Sequence, residues 1–270
     1  MNRVRSKDGT KIAYEKMGSG EPLILVDGAL CDRASGPNRP LAELLKADFT
    51  VYIYDRRGRG DSGDAPAYHI EREVEDLEAL IQEAGGSAFV YGISSGAALV
   101  LEAAGRLPSI RRIALYEAPF VVDGSRRPVP ADYMERMDRL LAEDRRGAAV
   151  KLFMGKGVGL PAPVVAMMPL MPAWSKLKKI AHTLRYDTLL TIEHQQGRAF
   201  PANRWASVQV PALTAVGGKS PAWMRNGMAA LSAALPNAKA YTLEGQTHIV
   251  KPAALAPVVR DYFKQEGMFA

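Results

Sequence analysis

The chain has 270 residues, 47% of them hydrophobic, with a net charge of +6. That length suits one large α/β domain whose core needs no disulfide, and the single cysteine, Cys31, fits a reducing compartment. The basic clusters at Arg56, Arg57 and Arg59, at Arg145 and Arg146, and at Lys176, Lys178 and Lys179 lack interleaved aromatics, so they are read as solvated surface charge and no nucleic-acid partner is expected.

The N-terminus, MNRVRSKDGTKIAY, is polar and carries no apolar signal-peptide core, so a cytoplasmic location is expected. Leu23–Val26 is a strand-sized apolar run ended by Asp27-Gly28. Leu41, Leu44 and Leu45 suggest a helix. Phe49–Tyr54 is β-branched and aromatic, and Asp55 ends it. Val74, Leu77, Ile81 and Ala84 recur at helical spacing with acidic residues on the other faces. Ala88–Tyr91 ends at Gly92 and is followed by a small-residue helix, Ala97–Leu107. Ile113–Tyr116 ends at Glu117, Ala212–Val216 at Gly217-Gly218, and Ala240–Leu243 at Glu244-Gly245. Met228–Leu235 and the set Leu255, Val258, Val259 and Tyr262 give two more helices. The strand runs lack strict alternation, which suits strands buried on both faces. Alternating strand and helix predict an α/β fold with a mostly parallel, doubly wound sheet. Ligands in such sheets bind at the C-terminal strand ends, where these polar residues fall.

The alternation fails between Phe120 and about Ser207, a segment rich in Met, Pro and helix-compatible patterns such as Met134, Met137, Leu140 and Leu141. It is read as a helical cap over residues 120–207, inserted in a core made of 1–119 and 208–270. Its uncharged run GVGLPAPVVAMMPLMPAW approaches the length of a membrane span. Pro161, Pro163, Pro169 and Pro172 would break the hydrogen bonding that a span needs. The run is therefore read as a kinked apolar cover, and no membrane partner is expected.

Gly92-Ile93-Ser94-Ser95-Gly96 fits G-x-S-x-G, a tight strand-to-helix turn that lifts a serine above the sheet. Only Ser94 has glycine at both −2 and +2. Ser94 is thus the candidate nucleophile, and Ser95 the candidate donor of a backbone N–H. With this elbow in place, the sequence resembles the α/β-hydrolase superfamily over nearly its whole length. YDRRGRGDSG, residues 54–63, resembles the family's turn after an early strand, and EGQTHIVKP, residues 244–252, its final-strand loop.

The resemblance implies a serine-nucleophile, capped α/β-hydrolase with His248 as the base. A serine hydroxyl needs such a base to take its proton. The family's acid commonly follows the strand before the histidine's, and there this chain has Ser220. Some members carry the acid one strand earlier, which points to Glu117; Ser220 or a water molecule orienting His248 is the alternative. The family's usual His-Gly after its first long strand is Asp27-Gly28 here. The oxyanion hole rests on backbone N–H groups, and the resemblance assigns it to Ala29 and Ser95. Asp27 either raises the basicity of His248 from close by or holds a loop through hydrogen bonds. Cys31 reads as a small core residue.

The cap's Phe153, Met167, Met168, Met171 and Trp174 suggest an apolar wall. Leu30, Met167, Met171 and Trp174 are the candidate substrate-binding residues. No phosphate loop, dinucleotide fingerprint or metal-ligand cluster is present, so no cofactor and no metal are expected. The expected function is cleavage of a small, partly apolar ester, thioester or lactone through an acyl-enzyme. A non-catalytic ligand-binding protein, a cofactor-free perhydrolase and a C–C hydrolase are the alternatives. The partner is a small-molecule substrate, and the sequence does not set the oligomeric state.

Overall fold

The computed structural model describes residues 1–65 and 67–265. The strands β1 (Asn2–Arg5), β2 (Lys11–Met17), β3 (Glu21–Val26), β4 (Phe49–Tyr54), β5 (Ala88–Ile93), β6 (Ile110–Tyr116), β7 (Ala212–Gly217) and β8 (Ala238–Leu243) form one sheet. Its order is β1-β2-β4-β3-β5-β6-β7-β8. From β4 to β8 every neighbour is parallel, while β1 and β2 pair antiparallel at one edge.

The buried strands explain why polarity does not alternate along them. In β3, Ile24 and Val26 face one core and Leu23 and Leu25 the other. In β5, Ala88 and Val90 face the first core and Phe89, Tyr91 and Ile93 the second. Each face is closed by helices. α2 (Ile70–Glu83), α3 (Ser95–Ala104) and α9 (Ala222–Ala234) cover one side, and α1 (Asn38–Leu45) and α10 (Pro252–Lys264) cover the other. Full burial of a side chain such as Ile24 contributes about 1.5–3 kcal/mol.

Two strands differ from the sequence expectation. β1 and β2 lie in the polar N-terminus, where the sequence patterns mark no strand. They form a hairpin closed at Asp8-Gly9, where Gly9 has φ +88° and the Asp8 carboxylate accepts from the Thr10 N–H at 2.9 Å. Arg3, Arg5 and Lys11 stand on its exposed face, so only Val4, Ile12, Ala13 and Tyr14 record the core.

Among the described residues no strand lies between β6 and β7. That interval holds α4 (Tyr133–Ala142), α5 (Arg146–Leu152), a π-helical turn at Phe153–Val158, α6 (Ala162–Met167), α7 (Trp174–Lys179) and α8 (Leu184–Thr191). Val129, Tyr133, Met137, Ala149, Val150, Leu152, Met168, Ala181 and Leu184 give it a small core of its own. Pro161 caps α6 and Pro163 sits in its first turn, where a missing N–H costs nothing. No described helix is long and apolar enough to cross a membrane.

Candidate active site

After β3 the chain crosses to β4 on one side, then returns to β5 on the other. The strand order thus reverses between β3 and β5, and a crevice opens beyond their C-terminal ends. The loop after β3 brings Gly28 and Ala29 there, and the turn after β5 brings Ser94.

Ser94 stands between β5 and α3 with φ 57° and ψ −129°. This is a strained conformation for a residue with a side chain, of the kind that neighbouring structure must hold in place. Its own N–H donates to Tyr116 O at 2.9 Å. The flanking glycines are obligatory. A Cβ on Gly92 would lie 2.6 Å from Gly96 O, and one on Gly96 would lie 2.5 Å from Val26 O. Among the described residues the Ser94 hydroxyl makes no hydrogen bond, so it faces the crevice uncommitted. Gly28 packs on it closely: a Cβ there would come within 2.9 Å of Ser94 Cβ. Ala29 follows Gly28 and lines the same cavity as Ser94.

His248 lies in the loop after β8, and its ring is 41% exposed. Its Nδ1 is 2.8 Å from Oε2 of Glu117, the residue that ends β6. Glu117 is fully buried, with φ 50°. Its Oε1 accepts from the Gly217 N–H at 2.7 Å and from the Ser220 hydroxyl at 2.5 Å. Ser220 therefore touches the carboxylate and not the imidazole. The position where an aspartate was expected holds a donor that anchors the acid supplied one strand earlier. The histidine loop is fastened as well. The Tyr116 hydroxyl donates to Thr247 O at 2.7 Å, and the Lys219 N–H donates to Gln246 O at 2.9 Å. A carboxylate only accepts, so Nδ1 carries the hydrogen and Nε2 is left able to take a proton.

The arginines of the β4 turn overturn the reading of that cluster as solvated surface charge. Arg56, Arg57 and Arg59 are each 1% exposed. Arg56 donates to both oxygens of Glu73 and, at 2.8 Å, to Asp187 of α8. Arg57 is held in a two-bond fork by Asp76. Arg59 donates to Asp187 at 2.7 Å and to Gly28 O at 2.6 Å. Arg56 also reaches Asp27 O at 3.3 Å. The Ser95 hydroxyl donates to Asp187 Oδ1 at 2.7 Å. The two arginines thus grip the carbonyls of the 27–28 loop, and through Asp187 they meet the residue after Ser94. Burial alone would raise the Asp187 carboxyl; Arg59 and Arg56 outweigh it and hold the group below the usual range. Nothing in the sequence motif itself signals Asp187; an isolated carboxylate in an inserted helix gives no local pattern.

Asp27 is 3% exposed, packed on Gly36. Burial pushes its carboxyl up to about 7, against the amide of Asn38 and the charges of Arg59 and Arg56. It sits against Gly36 of the loop before α1 and Asn38 at the start of α1, and its Oδ1 has no hydrogen-bond partner among the described residues. Cys31 is mostly enclosed, and burial pushes its thiol up to about 12. His194, one of the two histidines in the inserted segment, packs in an aromatic cage of Phe120, Phe200 and Trp205.

Ser94, His248, Ala29 and Ser95 all wall one cavity of about 370 Å³. Its apolar walls are Phe153, Val158, Leu160, Pro221, Trp223 and Met224. Of the expected apolar residues, Phe153 is there. Leu30, Met167, Met171 and Trp174, the expected substrate-binding set, are not. Leu30 and Trp174 pack into the inserted segment's own core, whereas Met167 and Met171 are 63% and 49% exposed on its outside. Methionine content marked that segment as apolar without saying which of its faces turns inward. Among the described residues no group of three His, Cys, Asp or Glu side chains is placed to hold a metal ion.

A doubly wound sheet with a serine elbow and a carboxylate-supported histidine at its switch point defines an α/β protein of the hydrolase type. The chain belongs to the alpha/beta hydrolase family, whose model matches residues 31–258. It is 51% identical to an alpha/beta hydrolase from Sphaerobacter thermophilus, over 97% of this chain and 100% of that one, with a TM-score of 0.89. The enol-lactonase from Burkholderia xenovorans shares the fold at 21% identity, over 98% of this chain and 100% of that one, with a TM-score of 0.70. A Synechocystis sp. protein described as a non-heme chloroperoxidase is 31% identical over 102 residues, which span 37% of each chain.

Proposed function

We propose that this hydrolase acts on a small, partly apolar ester, thioester or lactone by acyl transfer through Ser94. The observation that carries the reading is the 2.8 Å pairing of His248 Nδ1 with a buried glutamate, in a cavity that Ser94 also walls. In the proposed reaction Ser94 Oγ attacks the carbonyl carbon while His248 Nε2 takes its proton. The carbonyl π pair moves onto oxygen, and the amides of Ala29 and Ser95 receive that charge. Collapse of the tetrahedral species expels the alcohol or thiol, which takes the proton from Nε2. Water then repeats the sequence on the acyl-enzyme, with Nε2 as its base, releasing the acid and restoring Ser94. Glu117 fixes the tautomer and stabilises the imidazolium in both halves. Ser220 and Gly217 keep that carboxylate in place.

The apolar walls support a partly apolar acyl or alcohol group, since pockets of this kind bind mainly by burying such surface. A fluorophosphonate probe tests the reading. Labelling of the wild type is expected, with loss in Ser94→Ala and retention in Ser95→Ala, which keeps its backbone N–H. A wild type that takes no label, or a Ser94→Ala variant that still does, removes Ser94 from the chemistry.

A further inference from the structure

A second cavity, of about 450 Å³, adjoins the first and shares Val158, Gly159 and Trp223 with it as walls. Its character is opposite. Arg126, Arg127 and Lys156 line it, and no acidic side chain does. None of the three forms an ion pair among the described residues. The arginines near Ser94 are matched: Arg56 and Arg59 by Glu73 and Asp187. Those at the second cavity are unmatched.

Arg126 is the best placed of the three. Its guanidinium lies 4.5 Å over the ring of Trp223, the aromatic that walls both cavities. Nη2 donates to Gly157 O at 2.5 Å and to Lys156 O at 3.1 Å, so the π-helical turn and the indole fix the group. Nη1 is enclosed and has no acceptor among the described residues. A cation held this way has lost water without gaining a counter-charge, which is costly unless an anion arrives. Burial accordingly pulls the Arg126 pKa down, whereas Arg57, beside its carboxylates, is raised. The shape of the problem is a planar donor group, lightly solvated, with two further cations at the rim. A carboxylate answers it, because guanidinium and carboxylate match in plane and donor spacing.

We propose that this second cavity binds a carboxylate at the far end of the substrate, so that the ester, thioester or lactone cleaved at Ser94 is an anionic one. The apolar middle of such a molecule lies along Trp223 and Val158, between the reacting carbonyl and the basic rim. The substrate class rests on the acyl-transfer reading; the anion site itself does not.

The probes are monomethyl adipate and its uncharged counterpart dimethyl adipate. Calorimetry on the Ser94→Ala variant measures binding without turnover. Monomethyl adipate is expected to bind at least 10-fold tighter than dimethyl adipate, with the ratio falling several-fold between low and high salt. The ratio is expected to collapse toward unity in Arg126→Met, to recover in part in Arg126→Lys, and to fall in the exposed pair Arg127→Ala/Lys156→Ala. In the enzyme with Ser94 intact, kcat/KM is expected to show the same preference. A ratio near one in Ser94→Ala, or a preference indifferent to all these variants, overturns the anion site. Charge-selective, Arg126-dependent binding with hydrolysis of neither ester leaves the anion site standing and overturns acyl transfer at Ser94.

Discussion

Three non-glycine residues in the segments that follow β3, β5 and β6, namely Leu30, Ser94 and Glu117, have φ values of 58°, 57° and 50°. Left-handed backbone at a side-chain-bearing residue costs about 1–3 kcal/mol and persists only where the surroundings over-determine it. Glu117 shows how. Its backbone N–H donates to Ala215 O, one carboxylate oxygen takes Gly217 and Ser220, and the other takes His248. Glu117→Gln keeps the shape and the Oε1 acceptor but turns an NH₂ toward Nδ1–H, where two donors meet. The expected result is a fall in kcat/KM on a p-nitrophenyl ester of about 10³- to 10⁴-fold with little change in Tm. Unchanged turnover would remove Glu117 from the mechanism. Asp27 is the other buried carboxyl in question, and its effect is on stability. An ordinary aspartate ionises near pH 4, and burial pushes Asp27 up to about 7. The folded state therefore holds a proton that the unfolded chain has released between those values. Its contribution is full below about pH 4 and is lost as pH rises through about 7. Asp27→Asn has no such proton to lose. The Tm difference between Asp27→Asn and the wild type is expected to grow by several degrees in the variant's favour from pH 4.5 to pH 8; a difference that stays flat would show Asp27 to be ionised throughout.

At the scale of elements, each chemical group is delivered by the end of a strand, and the packing of neighbouring strand ends sets their distances. β3 and β5 are adjacent, and Gly28 after one meets Ser94 after the other at near-contact distance. Gly28→Ala would press a methyl group onto Ser94 Cβ and Ile93 O, at 2.9 and 3.2 Å, and displace the loop that carries the Ala29 amide. A loss of about 10²-fold or more in kcat is expected, the size seen when one oxyanion donor is removed, with the secondary structure retained by circular dichroism. Full activity would mean that this loop does not set the oxyanion site. The strand ends were legible because each apolar run stops at a polar or glycine residue: Asp27, Glu117 and Gly217 mark real ends, while Gly92, read as the end of the Ala88–Tyr91 run, lies one residue inside β5. Glu117 was legible only through the family resemblance: Ser220 stands where the acid commonly falls, and some members carry it one strand earlier. What was not legible is which side chains of the inserted helices face the crevice. α6 and α7 are six residues each, with Pro169 and Pro172 between them, too short for helical periodicity to declare a face. Methionines 167 and 171 accordingly point outward, and Val158, Leu160 and Trp223 do the lining.

At the scale of the molecule, the informative error concerns charge. Arg56, Arg57 and Arg59 form a basic run in a turn, the pattern of a solvated loop, and all three are buried. Their partners lie 17 to 131 residues away, at Glu73, Asp76 and Asp187, so no window of sequence contains a pair. The longest of these links joins α8 of the inserted segment to the turn after β4, and with Tyr186–Asp64 and Lys176–Asp32 it ties the inserted segment to the core by polar contacts. A buried ion pair adds little net stability over an apolar replacement, but removing one partner is severe, because a charge is left without its match. Asp187→Asn does this to Arg59, which has no other carboxylate within reach among the described residues, while Arg56 keeps Glu73. The cost is expected to be about 3–5 kcal/mol, or roughly 10 °C in Tm for a chain this size. It should also be unevenly spread. Amide exchange is expected to quicken first in α4, α5 and α8, with β3 to β7 protected until global unfolding, because the cluster around Tyr133, Met137 and Leu184 loses its anchor while the sheet's two cores are intact. Activity should fall with it, since the same carboxylate holds the Ser95 side chain and, through Arg59, the Gly28 carbonyl. A variant that melts and exchanges like the wild type would show that apolar packing alone holds the inserted helices over the crevice.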